Sequence, residues 1–256
     1  LLRTDDLSVV YGGLHAVSEV RLSVAPGELV GLIGPNGAGK TTFIDAVTGF
    51  VACRGRVRFR DRDVTELPPH RRARLGMART FQSLELFDDL TIAENVAASI
   101  ERPSWRGVLR DLVRPHAAQV EGAVAEALDL LELTEVADRL PGELGHGQRR
   151  LVACARALAG RPALLCMDEP AAGLDSGESA VLGGHLRAIT DRGSAILLVD
   201  HDMGMVLDVC DRIYVLESGV LIAEGTPEEI RRDPAVVSAY LGRTAAGTPG
   251  DVEHPG

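Results

Sequence analysis

The chain has 256 residues, 45% of them hydrophobic, with a formal net charge of -10 and a pI near 5.2. That length and apolar content suit one large domain or two small ones with a sizeable core. The acidic balance argues against a nucleic-acid footprint, which would show a basic face and a high pI. Cys53, Cys154, Cys166 and Cys210 are far apart and form no Cys-x-x-Cys pair, so neither a zinc cage nor a disulfide framework is indicated. No run approaches the roughly 18 to 20 apolar residues that span a bilayer, and no charged-then-apolar signal segment opens the chain. The expectation is a soluble protein of a reduced, cytosolic compartment.

In chain order, "LSVVYGG", "VRLSVAPGELVGLIG" and "RVRFRDRDV" alternate apolar and polar residues between glycine and proline turns, the pattern of strands and hairpins. Arg54, Arg56, Arg58, Arg60 and Arg62 recur with the strand period, which reads as one solvated sheet face rather than an RNA site. Residues 83–150 have a different texture. Val120, Val124, Leu128 and Leu131 repeat at helical spacing, and a mostly helical subdomain inserted into the core is expected there. "SWRGVLRDLVRP" at 104–115 holds the single tryptophan and reads as a short amphipathic helix or an exposed loop. "ALLCMDEP" at 163–170 and "GSAILLVDHD" at 193–202 contain continuous apolar runs, the mark of parallel strands buried on both faces of an α/β core. "DRIYVLESGVLIAEG" predicts a hairpin followed by two short helices, and residues 243–256 read as a disordered tail.

Only one of the 27 basic residues is a lysine, Lys40, within "GPNGAGKTT" at 34–42. Residues 34–41 fit Gly-x-x-x-x-Gly-Lys-[Ser/Thr], with an apolar strand before and a helical segment after, which is the context a phosphate-binding loop requires. Gly34, Gly37 and Gly39, with Pro35, Asn36 and Ala38 between them, let the backbone curl so that successive N–H groups face phosphate oxygens at a helix start. Inside that curl a compact ammonium fits where a planar guanidinium is too wide, which explains why the position is not arginine. Thr41 offers a hydroxyl to Mg²⁺, and Thr42 stands beside the α-phosphate. Asp168 and Glu169 close the apolar run at 164–167. Adjacent buried carboxylates are costly without a cation, so Asp168 is expected to hold Mg²⁺ through water and Glu169 to orient and activate the attacking water.

With these motifs in place, residues 4–242 resemble the ATP-binding subunits of ABC transporters. The resemblance implies an α/β fold: a RecA-like P-loop NTPase core with an antiparallel β subdomain and an inserted α-helical subdomain, forming one nucleotide-binding domain over residues 1–242. It also implies roles for further residues. Tyr11 would stack on adenine. Gln82 in "RTFQ" would sense the γ-phosphate, contact Mg²⁺ and touch a membrane subunit, and His201 in "LLVDHD" would contact the γ-phosphate as the switch histidine. Leu144, Gly145, His146, Gly147 and Gln148 match the signature loop, which in the family binds ATP held by the opposing subunit. Asp175 would belong to the loop linking the two sites. Gly145 departs from the family's usual serine, so a hydroxyl toward phosphate is missing and backbone N–H groups remain.

"LPPHRRARLGMARTFQSLELFDDLTIAENV", "DEPAAGLD", "DHDM" and "AEGTPEEIRRDPAVVSAYLG" resemble, more narrowly, the ATPases of branched-chain amino acid importers, whose relatives also serve amides and urea. A non-serine signature is a habit of that group. An ATPase of lipopolysaccharide-type extraction is the alternative of similar architecture. A non-transport ABC ATPase fits less well, because the interval from Gln82 to Leu144 is too short for a long coiled-coil insertion. The implied ligands are ATP and Mg²⁺. The implied partners are a second ATP-binding subunit (itself or a paralogue), transmembrane permease subunits and an extracytoplasmic solute-binding protein, with no nucleic acid. That places the chain peripherally on the cytoplasmic face of the cell membrane.

Overall fold

The computed structural model describes residues 1–80, 86–100, 116–200 and 203–244. Strands β1 (Leu2–Tyr11) and β2 (Leu14–Val24) form an antiparallel hairpin whose two-residue turn, Gly12 and Gly13, has φ of 52° and 93°. Both values favour glycine, and such a turn carries the strand twist through the reversal. Strand β3 (Leu29–Ile33) follows and leads through the glycine-rich loop into helix α1 (Lys40–Thr48). Gly49, at φ 86°, ends that helix in the left-handed cap conformation.

Strands β4 (Arg54–Phe59) and β5 (Arg62–Asp63) extend the first sheet. The arginine run is therefore broken by a turn at Arg60 and Asp61, with φ of 50° and 61°. Arg54, Arg56 and Arg58 lie on one strand, opposite buried Val57 and Phe59, and Arg56 and Arg58 pair with Asp63 and Asp5 at 3.2 and 3.7 Å. This is the solvated face that the alternation predicts. Helix α2 (Pro69–Arg74) supplies Arg72, 2% exposed, whose guanidinium donates to the carbonyls of Ala46, Val47, Leu67 and Thr65. A cation here satisfies the last carbonyls of α1 at the negative end of its dipole.

Strand β6 (Met77–Arg79) precedes a stretch whose described residues contain no strand and hold helices α3 (Ile92–Ile100), α4 (His116–Leu130) and α5 (His146–Leu158). Strand β7 (Leu164–Asp168), helix α6 (Ser176–Asp191), strand β8 (Ala195–Val199) and helix α7 (Met203–Val209) then alternate. Strands β9 (Arg212–Glu217) and β10 (Val220–Gly225) form the expected hairpin, followed by helices α8 (Pro227–Arg232) and α9 (Pro234–Thr244). Residues 243 and 244 thus close α9. The readings of Gln82, of 104–115, of His201 and of the tail from 245 fall outside the described residues.

The two sheets have strand orders β2-β1-β4-β5 and β10-β9-β3-β8-β7-β6. In the second, β6, β7, β8, β3 and β9 run parallel, and β10 adds an antiparallel edge. Every residue of β3, β7 and β8 is buried. The reason lies in the pleat, which sends successive side chains to opposite faces. Leu164, Cys166, Leu197 and Val199 enter a core shared with α1 and the antiparallel sheet. Leu165, Met167, Ile196 and Leu198 enter a second core shared with the helices. Gly31 faces α7, where a Cβ would lie 2.8 Å from Val206, so the absence of a side chain sets how closely that helix packs.

Candidate functional site

The loop from Gly34 to Gly39 leaves the C-terminal end of β3, the place where parallel α/β sheets present their ligand crevices. Gly34, Gly37 and Gly39 all have positive φ, at 153°, 82° and 101°. At two of them a side chain has no room. A Cβ on Gly34 would lie 2.0 Å from the carbonyl oxygen of Leu216, and one on Gly39 would lie 2.2 Å from that of Ala16. The loop is thus wedged between β2 and the β9–β10 hairpin, whose turn residue Gly219 donates its N–H to the Ala38 carbonyl at 2.9 Å. With the backbone held by both sheets, the curl is preformed rather than induced.

Asn36, Gly37, Ala38, Gly39, Lys40, Thr41 and Thr42 line a cleft of about 560 Å³ together with His15, Glu169 and Ser218. Lys40 is 5% exposed, and its ammonium donates to the carbonyls of Gly34 at 2.7 Å and Pro35 at 3.0 Å. Desolvation pulls its pKa below the usual lysine value, and the carboxylates of Glu169, Asp168 and Asp200 partly restore it.

Asp168, at the end of β7, is 3% exposed. Its Oδ1 accepts from the Thr41 hydroxyl at 3.3 Å, and its Oδ2 faces the Arg79 guanidinium at 3.4 Å. Burial pushes its pKa above the ordinary aspartate value, while Arg79 and the Thr41 hydroxyl pull it down. A hydroxyl and a carboxylate oxygen side by side form a hard-oxygen pair that suits Mg²⁺ shared with substrate phosphates. Glu169 sits next to it with φ 50°, a left-handed conformation costing a non-glycine residue about 1 to 2 kcal/mol. Two contacts hold it there: its N–H donates to Val199 at 2.7 Å, and its carbonyl accepts from Arg150 of α5 at 3.1 Å. Fully buried Asp200, at the end of β8, accepts from the N–H of Ala171 and fixes the turn after Glu169.

Other predicted residues stand elsewhere. Tyr11 ends β1, 47% exposed, paired with Leu14 at the rim of the cleft. Leu144 is buried. Gly145 caps α5 with an extended backbone, and a Cβ there would meet nothing within 4 Å. His146 accepts from Arg150 Nε at 3.4 Å and lies near Gly173, while Gly147 packs against Glu178. Gln148 lines a separate groove of about 350 Å³ with Leu151, Leu174 and Val181. Residues 144–148 are therefore outside the phosphate cleft of their own chain. Asp175 caps α6: its carboxylate accepts from the N–H of Glu178 at 2.8 Å, and Glu178 reciprocates toward the N–H of Asp175 at 3.1 Å.

Sequence reasoning missed Arg79, Asp45 and Asp200, and it missed that Arg150, at the end of the signature stretch 144–150, supports Glu169. The only signal for Arg79 was a cation at the end of a short apolar segment, "GMAR", and its partners are separated from it by 34 and 89 positions.

A phosphate-shaped loop, a buried lysine within it and a hydroxyl–carboxylate pair at the ends of parallel strands define an ATP-binding P-loop cassette. Residues 17–172 match the family described as ABC transporter, and residues 220–246 match the one described as branched-chain amino acid ATP-binding cassette transporter. The chain is 39% identical over 249 residues to the high-affinity branched-chain amino acid transport ATP-binding protein LivG of Escherichia coli K12, covering 94% of this chain and 98% of that one. Among solved structures it is similar to a nucleotide-free ATP-binding cassette from an ABC transporter. The TM-score is 0.81 at 34% identity, with 94% of this chain and 98% of that one covered. An ADP-bound cassette of an ABC transporter gives a TM-score of 0.83 at 33% identity over the same shares. This chain belongs to the ATP-binding subunits of ABC transporters and is an ABC ATPase.

Proposed function

We propose that the chain energises import of branched-chain or other hydrophobic amino acids, by hydrolysing ATP at a head-to-tail interface between two ATP-binding subunits. The observation that carries the substrate class is the match of residues 220–246, a span that includes β10, α8 and α9. The likeness to LivG over nearly the whole chain supports it.

The geometry supports the division of labour. Residues 34–42 bind the phosphates, with Lys40 exchanging the carbonyls of Gly34 and Pro35 for phosphate oxygens. Thr41 and Asp168, joined by Gln82, would hold Mg²⁺, which when bound neutralises charge on the phosphates. Glu169 places water in line with the γ-phosphate, Tyr11 covers the adenine and His201 contacts the γ-phosphate. Leu144, Gly145, His146, Gly147 and Gln148 would complete the site of a second subunit, with Asp175 in the linking loop, and their position outside their own cleft is compatible with that role. A site assembled from two chains is complete only when they close. Closure would pull on permease subunits docked near Gln82 and the helical segment. A solute-binding protein outside the membrane would deliver the substrate, with the chain held peripherally at the cytoplasmic face.

Reconstitution with the permease subunits in proteoliposomes tests this reading. ATP-dependent uptake of labelled leucine is expected. Uptake of amides or urea without leucine would assign the chain to those importers instead. ATP-dependent release of lipopolysaccharide without uptake would favour the extraction reading, and purification with ribosomes in place of membrane subunits would favour a non-transport ABC ATPase.

A further inference from the structure

Helix α1 presents Thr41, Asp45 and Thr48 at positions i, i+4 and i+7, which fall on one face. Arg79, at the end of β6, lies along that face. Its guanidinium pairs with the Asp45 carboxylate, approaches the Thr48 hydroxyl at 3.4 Å and reaches Asp168 Oδ2 at 3.4 Å. The same group stands 5.5 Å from the centre of the Phe50 ring. At 10% side-chain exposure it is nearly buried, as is the carboxylate it faces. Arg79 also lines a groove of about 540 Å³ that does not include Asp168, together with Phe50, His70, Arg74 and Arg156.

We infer that Arg79 is a positioning residue for the metal-binding carboxylate. It fixes Asp168 from the Oδ2 side, so that Oδ1 stays beside the Thr41 hydroxyl and the two oxygens are ready for Mg²⁺. The inference rests on the ATPase reading of the site. Two effects of a guanidinium so near a divalent cation oppose each other. Its charge repels the metal, and its contacts orient the metal's ligand. Here Asp45 neutralises that charge within the same network, so at a distance the pair is close to uncharged and orientation is the larger effect. Lysine would not substitute. A point charge on a flexible stem cannot reach Asp45, Thr48 and Asp168 together, whereas a planar fork can.

The test separates position from charge. In the double variant Asp45→Asn/Arg79→Gln the net charge is unchanged. Binding of a fluorescent methylanthraniloyl-ATP is measured in EDTA and across a Mg²⁺ titration. The expected result is affinity in EDTA within about twofold of the unmodified protein, with the Mg²⁺ concentration for half-maximal effect raised about tenfold. A midpoint within twofold, or equal losses with and without Mg²⁺, overturns the inference and leaves Arg79 a structural tie. If the double variant fails to fold, Arg79→Lys serves, with an expected midpoint shift of about threefold, and an unchanged midpoint again overturns the inference. Failure of the unmodified protein to bind the nucleotide with Mg²⁺ would instead sink the ATPase reading itself.

Discussion

Replacing Lys40 in two ways separates its charge from its shape. Lys40→Arg keeps the charge, while Lys40→Met keeps an unbranched stem of similar length and removes it. In the structure the ammonium is nearly buried, 2.7 and 3.0 Å from two carbonyls of a loop wedged between both sheets. The loop cannot widen, because Gly34 and Gly39 already approach backbone oxygens more closely than any Cβ would permit. A guanidinium must therefore leave the curl. Each charge-assisted hydrogen bond to phosphate so lost is worth about 1.5 to 3 kcal/mol, and at 1.4 kcal/mol per decade the loss of one lowers nucleotide affinity by about ten- to a hundred-fold. Both variants should lose that affinity, but their unliganded stabilities should differ. Burial depresses the Lys40 pKa, so between the folded value and the ordinary lysine value the unfolded chain holds more protons. The buried charge thus opposes folding, fully so below that window. Lys40→Met should melt without nucleotide at or above the unmodified protein, and Lys40→Arg below it. Calorimetry in EDTA with fluorescent-nucleotide titration reads both quantities. Near-normal ATP affinity in Lys40→Arg would refute the account of the loop.

Gly39→Ala should cost at least about 3 kcal/mol, through a left-handed alanine and a Cβ 2.2 Å from the Ala16 carbonyl oxygen; thermal melting checks it, and a drop below 2 °C would contradict the geometry. Glu169→Gln should bind Mg²⁺-ATP within a few-fold of normal and lose about 10²- to 10⁴-fold in single-turnover hydrolysis, the contribution of a positioned base. Asp168 has a raised pKa, so from that value down toward the ordinary aspartate value the folded chain holds more protons than the unfolded one. In EDTA, Asp168→Asn should therefore be the more stable protein at pH 7, and its advantage should shrink as pH falls through that window; a constant gap would refute the assignment. Gly145→Ser has open space for its side chain, so melting should be unchanged. ATP-driven dimerisation, followed by light scattering in the Glu169→Gln background, should strengthen by about tenfold or more, one charge-assisted hydrogen bond's worth.

The sheet was legible because β3, β7 and β8 are buried on both faces, and that burial forces continuous apolar runs such as 195–199. The phosphate loop was legible because its shape demands glycine at fixed spacings. Local patterning failed where the chain reverses within a run of one texture: Arg60 and Asp61 read as strand and fold as a turn. The polar supports were hidden for a different reason. Arg72 meets the end of α1 from 25 and 26 positions away, Arg150 meets Glu169 from 19, and Arg79 meets Asp168 from 89. Charged residues carry no periodic signal of burial, so nothing in one sequence separates these three from the arginines that face water on β4.

What distinguishes the buried cations is that each already has acceptors before a nucleotide arrives. Lys40 rests on the carbonyls of Gly34 and Pro35, and Arg79 rests between Asp45 and Asp168. An uncompensated charge in the same positions would cost several kcal/mol, and the loop would collapse onto it or exclude it. Because the cations have partners, the cleft holds its shape unliganded, and binding exchanges one set of acceptors for another. Nucleotide affinity is then a difference between two bonded states, smaller than a sum of phosphate contacts would give. A weaker hold of this kind suits a motor subunit, which must release its product in every cycle. It also accounts for the single lysine. Arginine serves wherever a cation can lie flat against a carboxylate or a helix end, and only the curl of the phosphate loop requires a point charge.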